Sequence, residues 1–179
     1  VTFLLRESFP KKMFNDFNTG AYLVGQAYPR RQVFIDGRTE FYGPEFFSQY
    51  VKMCQGDKDT IESVIRRYDI QGFFLSNPNK DIHWGLIRYL GRSRYWIPVY
   101  LDENAVIFVK KSRENQNLTD RFGIDFSRWS APPVDILSIG ILQPYPYPYI
   151  NRGRLLSRLK FHKSAASEAR AALDISPTC

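Results

Sequence analysis

The stretch Gln71-Gly72-Phe73-Phe74-Leu75-Ser76 is a short apolar run, and the turn residues Asn77-Pro78-Asn79 bring it to an end. Consecutive apolar residues between turn formers are typical of a strand that is buried on both faces of a sheet. A second run of this kind, Gln32–Asp36, ends at Gly37. We therefore predict two buried strands, over residues 32–36 and 71–76.

A hairpin and several helical patterns surround these two strands. Tyr95–Leu101 and Ala105–Lys110 are apolar runs joined by Asp102-Glu103-Asn104, which predicts an antiparallel pair. Met13–Asp16 is also expected to be extended. The order of elements predicts an α/β protein with a layered mixed sheet of about four strands, flanked by helices. Helices are predicted over residues 1–9, over Gly20–Tyr28, from Pro44 to about Cys54, from a cap at Asp59 or Thr60 to Tyr68, and over Asp81–Leu90.

The C-terminal residues Asn151–Cys179 have the spacing of a helical hairpin. This spacing resembles a single tetratricopeptide repeat (TPR) of about 34 residues, although any amphipathic helical hairpin shares part of the pattern. Because such a repeat buries its apolar face only by stacking on neighbours, we expect the chain to be a piece of a longer protein. We also expect the TPR-like hairpin to bind a protein partner. The small, large, small, small and breaker positions of the repeat fall on Gly153, Leu156, Ala165, Ala172 and Pro177.

Three regions follow from the composition along the chain. Residues 1–112 hold the predicted sheet and its helices, residues 113–148 form a linker rich in proline and tyrosine, and residues 149–179 form the TPR-like hairpin. The run Pro144–Tyr149 alternates proline and tyrosine, which favours an extended, stiff path into the hairpin. The same composition is found in recognition ligands of proline-binding domains, so both interpretations of this run stay open.

The charge is unevenly distributed. The net charge is +7, and residues 151–179 contribute six Lys/Arg against two Asp/Glu. This basic tail either binds an anionic partner or membrane surface, or is a solvated helical face. No apolar run approaches the roughly 18 residues of a membrane span, and no signal peptide is predicted in the first residues. Cys54 and Cys179 define neither a disulfide framework nor a metal site.

Two polar stretches combine carboxylates with glycines at the ends of short elements. They are Phe14–Leu23 (FNDFNTGAYL) and Val33–Gly43 (VFIDGRTEFYG). Together they resemble the start of the soluble extracytoplasmic domain of GT-C-type membrane glycosyltransferases, namely oligosaccharyltransferase catalytic subunits and their looser bacterial relatives. The residues that correspond to the two motifs of that family are Asp16, Phe17, Gly20 and Tyr22 in the first stretch, and Asp36, Gly37, Arg38 and Thr39 in the second.

The resemblance implies a role and a location. In this family the catalytic carboxylates and the lipid-phosphate site lie mostly in membrane-proximal loops and helices, so a domain of this kind is a non-catalytic, periplasmic module. It would position a glycan or peptide acceptor, and some bacterial relatives continue into TPRs. The sequence departs from the family motif, since Phe14-Asn15 replaces a tryptophan pair and Asn18-Thr19 separates Phe17 from Gly20. No catalytic residue, cofactor or metal is predicted, and the candidate ligand- or acceptor-binding residues are Asp16, Asn18, Tyr22, Asp36, Arg38 and Thr39.

The chemistry of Asp16 and Asp36 is open to two interpretations. The two carboxylates could transfer protons or, with Asn15, Asn18 and Glu40, bind a divalent cation. Alternatively, Asp16 or Asn18 caps the following helix, and Asp36 fixes Arg38 in a turn. Arg38 likewise either binds an anionic group or pairs with Asp36 or Glu40.

Other function classes have weaker support. His83 lies near a predicted helix start, but no Gly-x-Ser-x-Gly elbow supplies a nucleophile, and no Gly-x-Gly-x-x-Gly or P-loop follows a predicted strand. The arginine pairs are spread over separate elements, so nucleic acid is not a predicted partner. The leading hypothesis is a non-catalytic module of a glycosyltransferase-like membrane protein. Two alternatives stay open: a small-ligand-binding or enzymatic α/β domain with a cleft near Asp16, Asp36 and Arg38, and a cytoplasmic adaptor with a basic tail.

Overall fold

The computed structural model describes residues 1–133 and 145–178. Its strands are β1 over Met13–Asn15, β2 over Gly72–Ser76, β3 over Trp96–Leu101 and β4 over Ala105–Lys110. In the described part of the chain they form one four-stranded sheet with the order β1-β2-β4-β3. β1 pairs with β2 in parallel, whereas β4 pairs antiparallel with both β2 and β3. The predicted α/β class with a mixed sheet of about four strands is therefore confirmed.

Helices lie before, between and after the strands. Short 3-10 helices cover Thr39–Phe41 and Asp81–His83. In residues 1–133 and 145–178 no helix is long and apolar enough to cross a membrane. The α-helices are α1 over Thr2–Arg6, α2 over Phe17–Ala27, α3 over Pro44–Gln55, α4 over Lys58–Tyr68, α5 over Trp84–Gly91, α6 over Gln116–Phe122, α7 over Tyr147–Arg158 and α8 over His162–Ile175.

Both faces of the sheet are covered, as the continuous apolar run at 71–76 predicts. Phe73 and Leu75 of β2 belong to a buried cluster with residues of α3, α4, α5 and α7. Phe74, which alternates with them, belongs to a second cluster with residues of α1, α2 and α6. The sheet therefore forms the middle of three layers, with helices on either side.

Capping residues set the ends of the helices between β1 and β2. Pro44 is the first residue of α3, as predicted, and Gly56 ends this helix in the left-handed conformation, with a φ of 90°. The predicted cap of α4, Asp59 or Thr60, is wrong. The cap is Asp57, whose carboxylate accepts a hydrogen bond from the Thr60 amide. Its side chain therefore reaches the third residue of the helix, the usual geometry of an aspartate cap.

The predicted strand over residues 32–36 is wrong, and β1 is the fourth strand instead. Residues 32–36 have no strand pairing, but the side chain of Asn15 binds their backbone. Its Oδ1 accepts a hydrogen bond from the Phe34 amide at 2.7 Å, and its Nδ2 donates one to the Ile35 carbonyl at 2.7 Å. An asparagine side chain carries the same donor and acceptor as a peptide group. It therefore satisfies this backbone and leaves Ile35 fully buried without a strand.

The region that its composition marks as a linker is partly helical. α6 lies within residues 113–148, and its Leu118 is buried on the same side of the sheet as α1 and α2. α7 begins at Tyr147, so the end of the proline–tyrosine run is helical rather than extended. Pro148 is tolerated there because the first amides of a helix have no partner within it. Pro144 lies outside the described residues.

α7 and α8 form a helical hairpin that packs against the rest of the described chain. A Cβ at Gly153 would lie 3.2 Å from the Cβ of Glu168, which is the close helix approach expected of that glycine. Leu155, Leu156 and Leu159 of α7 belong to the same buried cluster as β2 and α5. One face of the hairpin is therefore buried on the chain's own core. The TPR assignment and the boundaries at 112 and 148 stay predictions.

Gly20 and Gly25 of α2 offer a matched pair of substitutions. A Cβ at Gly20 would lie 2.1 Å from the Ile35 carbonyl oxygen, whereas a Cβ at Gly25 would meet no atom within 4 Å. We expect Gly20→Ala to lower the free energy of unfolding by about 1–3 kcal/mol, because backbone must move to relieve the overlap. We expect Gly25→Ala to raise it by about 0.5 kcal/mol, since alanine is the better helix former. Urea denaturation measures both, and equal effects would contradict the packing of α2 on residues 35–36.

Candidate functional site

Asp16 joins α2 to the carboxyl end of β2. Its Oδ1 accepts hydrogen bonds from the amides of Asn18 and Thr19, at 3.0 and 3.2 Å, and from the Ser76 hydroxyl at 3.1 Å. Its Oδ2 accepts one from the Ser76 amide at 2.6 Å. The side chain is completely buried. Of the two interpretations of Asp16, the geometry matches the helix cap, and the carboxylate also ties the helix to the sheet.

Asp36 and Arg38 form an ion pair in the turn after Ile35. The Arg38 Nε lies 3.1 Å from both carboxylate oxygens, and the Arg38 amide donates to Oδ1 at 2.9 Å. The Asp36 side chain is 2% exposed, whereas that of Arg38 is 60% exposed. The hydrogen bonds from Arg38 outweigh the effect of burial and lower the pKa of Asp36. The guanidinium of Arg38 is therefore engaged within the chain rather than presented free to an anion.

The other candidate residues lie on the surface. Asn18 is exposed in the first turn of α2, Thr39 is exposed at the start of a 3-10 helix, and Tyr22 is 58% exposed. Among residues 1–133 and 145–178, no group of three or more His, Cys, Asp or Glu side chains could hold a metal ion. The six candidates thus divide into two buried, hydrogen-bonded carboxylates and four exposed side chains.

A cleft of about 480 Å³ opens at the same end of the sheet as Asp16. Thr19 and Tyr22 of α2 line it, together with Ser76 of β2 and with Tyr100 and Asp102 at the end of β3. Thr19 and Ser76 are two of the three residues whose backbone amides are seen to bind the Asp16 carboxylate. The buried cap therefore fixes two residues of the cleft wall without reaching the cleft itself.

A second buried polar cluster lies beside the first turn of α2, and the sequence does not predict it. The Tyr50 hydroxyl accepts a hydrogen bond from the Phe17 amide at 2.9 Å and lies 3.2 Å from His83 Nε2. The tautomer of His83 decides whether the Tyr50 hydroxyl donates its proton to Nε2 or accepts one from it. In the described residues His83 Nδ1 has no hydrogen-bond partner. Burial lowers the pKa of His83 and raises the pKa of the neighbouring Cys54 to about 12, so both groups are neutral near pH 7.

The α7–α8 hairpin carries an open apolar groove on a different face from its core leucines. The groove holds about 560 Å³. Small residues line its centre because only they leave a depression between two closely packed helices. Ala166 and Ala169 are exposed, and Leu173 at the edge is 45% exposed. The residues that define the groove are Gly153, Ala165, Ala166 and Ala169, between the larger side chains of Ile150 and Leu173.

Comparison of the chain with protein-family models, with curated protein sequences and with solved structures returns no match.

Asp16 and Asp57 both cap helices, but only the Asp16 carboxylate also accepts hydrogen bonds from Ser76 of β2. Comparing the two residues therefore separates the effect of the bonds to β2 from the effect of capping. We expect Asp16→Ala to lower the free energy of unfolding by about 2–4 kcal/mol, because the donors around it lose their acceptor in the interior. Asp57→Ala removes an exposed cap with one hydrogen bond, so we expect a clearly smaller loss. Urea denaturation of the two variants checks this order, and an equal loss would mean that the bonds to Ser76 add nothing.

His83 should make stability depend on pH below about 6.5. Because burial lowers the pKa of His83 from its ordinary value of 6.5, the unfolded chain binds this proton first. The contribution of neutral His83 to the free energy of unfolding is therefore complete above pH 6.5. Below this pH the free energy of unfolding falls, with a slope of up to about 1.4 kcal/mol per pH unit. Asp36, whose pKa lies below its ordinary 3.8, contributes only at more acid pH.

Thermal and urea unfolding at pH 7, 6 and 5 measure this slope. We expect His83→Gln to remove it, while His162→Gln, a substitution at an exposed histidine, should leave it unchanged. The same slope in both variants would show that the buried imidazole is not its source.

Proposed function

We propose that this chain is a non-catalytic, extracytoplasmic module of a larger glycosyltransferase-like membrane protein, and that its α7–α8 hairpin positions a protein partner. The element of the partner that contacts the hairpin is an amphipathic helix with an acidic flank. The observation that carries this proposal is the open apolar groove between α7 and α8.

The shape of the groove suits a helix. A row of small residues between larger ones accepts the side-chain ridge of a neighbouring helix, as in ordinary helix packing. Recognition of this kind places the apolar face of an amphipathic helix into a hydrophobic groove. α8 has 14 residues and is therefore about 21 Å long. A partner helix of three to four turns would cover that length.

The surface around the groove is positively charged. Arg152 and Glu168 pair with each other and are 4% and 0% exposed, so their charges cancel inside the hairpin. Arg154, the charged residue of the groove lining, remains exposed. Acidic residues along one side of the partner helix would complement this surface and accelerate its association. The charge distribution thus favours an anionic partner over a merely solvated basic face.

The glycosyltransferase-like parent is supported by the packing of the two stretches that carry the resemblance. Gly20 of Phe14–Leu23 lies against Ile35 and Asp36 of Val33–Gly43, so the two stretches form one structural unit. The carboxylates of Asp16 and Asp36 are occupied by hydrogen bonds within the chain. Such carboxylates are poorly placed to move a proton on a substrate, which favours a positioning role for this unit.

A second candidate function, small-ligand binding by the α/β part of the chain, is favoured by the cleft of about 480 Å³. This cleft contains Tyr22, the one exposed aromatic side chain among the candidate residues. A ligand there would contact Tyr22 and leave the hairpin groove empty. The two candidates therefore differ in the surface that is occupied in the cell.

Site-specific crosslinking in the full-length protein tests the proposal. A photoreactive phenylalanine analogue replaces Ala169 in the groove or, as the control, its exposed neighbour Arg170 outside the groove. We expect position 169 alone to crosslink a second protein in the cell, through a helical segment with acidic residues, because only this position faces the groove. We expect the crosslinked product in the membrane fraction after washing with high salt and in the detergent extract of that fraction.

Ala166→Glu, placed in the groove, should weaken the crosslink from position 169 by at least tenfold, since it adds a bulky acidic side chain. Equal crosslinking from positions 169 and 170 would contradict the groove as the binding surface. Crosslinks to the protein's own chain alone would contradict a separate partner. Recovery of the full-length protein in the soluble fraction would contradict the membrane parent.

A further inference from the structure

Residues 126–132, here called the strap, run across the α7–α8 hairpin; residues 126–128 form a turn, and residues 129–132 have no regular secondary structure. The hairpin binds the strap backbone through side chains. The Ser164 hydroxyl donates to the Phe126 carbonyl at 2.6 Å, and the Arg152 guanidinium donates to the Pro132 carbonyl at 3.1 Å. The Ala131 amide donates to the Ser167 hydroxyl at 3.3 Å. Backbone groups read by side chains in this way are a feature of peptide-binding surfaces.

A buried carboxylate recognises the centre of the strap. The Trp129 Nε1 donates to Glu168 Oε1 at 2.6 Å. The same carboxylate accepts two hydrogen bonds from Arg152, at 2.8 and 3.0 Å. Glu168 is completely buried, so a donor that leaves it must be replaced by another. The indole N–H of tryptophan meets this need, whereas a phenylalanine ring does not.

The two halves of the strap are held differently. Phe126 is 4% exposed and belongs to the main core, where its ring contacts that of Phe161 at 5.5 Å between centroids. Trp129, Ala131 and Pro132 are only half-buried. The first half of the strap is therefore part of the fold. The second half is held by the packing of Trp129 against the main core and by side-chain hydrogen bonds to the hairpin.

We infer that this face of the hairpin is a binding site for a segment without regular secondary structure that has a tryptophan followed three residues later by proline. Residues 129–132 occupy the site within the chain, and a partner segment of the same chemistry displaces them. The face is separate from the groove, because Ser164, Ser167 and Glu168 lie on a different side of α8 from Ala166 and Ala169. The inference does not rest on the proposed function, and either can fail without the other.

The chemistry of the partner follows from the three contacts. Its indole N–H must reach the Glu168 carboxylate, and its backbone carbonyl near the proline must accept from Arg152. Proline at this position favours the extended conformation before binding, which reduces the entropy lost on binding. While the strap occupies the site, the apparent dissociation constant of a partner equals the intrinsic constant divided by the fraction of molecules in which the site is open.

Peptide binding to the full chain tests the inference. The probe is a labelled peptide of residues 127–133, Ser-Arg-Trp-Ser-Ala-Pro-Pro, and the readout is fluorescence anisotropy. We expect Trp129→Ala to bind this peptide at least tenfold more tightly than the unchanged chain, because the weakened strap opens the site. The same peptide with alanine in place of tryptophan should not bind. Adding Glu168→Gln to Trp129→Ala should weaken binding at least tenfold.

Circular dichroism first establishes that each variant is folded. If Trp129→Ala does not fold, Trp129→Phe serves in its place, since it keeps an aromatic ring and loses only the N–H that binds Glu168. Hydrogen exchange at the Ala131 amide reports on the strap directly and should accelerate at least tenfold in either folded variant. Equal peptide affinity for the unchanged chain and the folded variant, or no binding by that variant, would overturn the inference.

Discussion

The Asp16 carboxylate accepts hydrogen bonds that hold the first turn of α2 against the carboxyl end of β2. The amides it binds at the start of α2 have no partner within the helix, so the carboxylate satisfies them and fixes the helix at once. Its neighbour Asn15 binds the backbone of Phe34 and Ile35 in a similar manner. Two adjacent polar side chains thus connect three segments that lie far apart in sequence. The cleft beside them depends in part on this arrangement, because Asp16 binds two residues of its wall, Thr19 and Ser76.

Hydrogen bonds within this region also occupy the carboxylates of Asp16 and Asp36. The carboxylate oxygens of Asp16 and Asp36 accept hydrogen bonds from groups of the same chain, so the groups described above that can bind another molecule lie on the surface. They lie in the cleft with Tyr22, in the groove of the hairpin, and on the face of the hairpin that the strap covers. Rigid elements that present binding surfaces at their ends and along their outer faces are a common division of labour in proteins. The same division fits a module whose role is to position other molecules.

Local sequence predicts those features that depend on local contacts. The spacing of apolar residues predicts β2, β3 and β4 to within one residue at each end, because a strand buried on both faces needs a continuous apolar run. Gln32–Asp36 has the same composition and contains the buried Ile35, yet it is not a strand. The deciding contact comes from Asn15, 19 residues before Phe34, and no local pattern contains it.

The cap at Asp16 and the pair of Asp36 with Arg38 are local, and the sequence predicts both as one of two interpretations. Tyr50 meets His83 across 33 residues, and Trp129 meets Glu168 across 39. A tyrosine or glutamate on a helix gives no local sign of such a partner.

The burial of Leu155, Leu156 and Leu159 in the same cluster as β2 has a consequence for biosynthesis. The sheet is complete once β4 ends at Lys110, but α7 covers part of one face only after a further stretch of about 50 residues has been made. At about 5–20 residues per second, translation leaves that apolar face uncovered for several seconds. During this interval the nascent chain presents aromatic and aliphatic side chains that the finished protein never exposes. The order of elements along the chain therefore leaves part of one face of the sheet without its cover until the hairpin has been made.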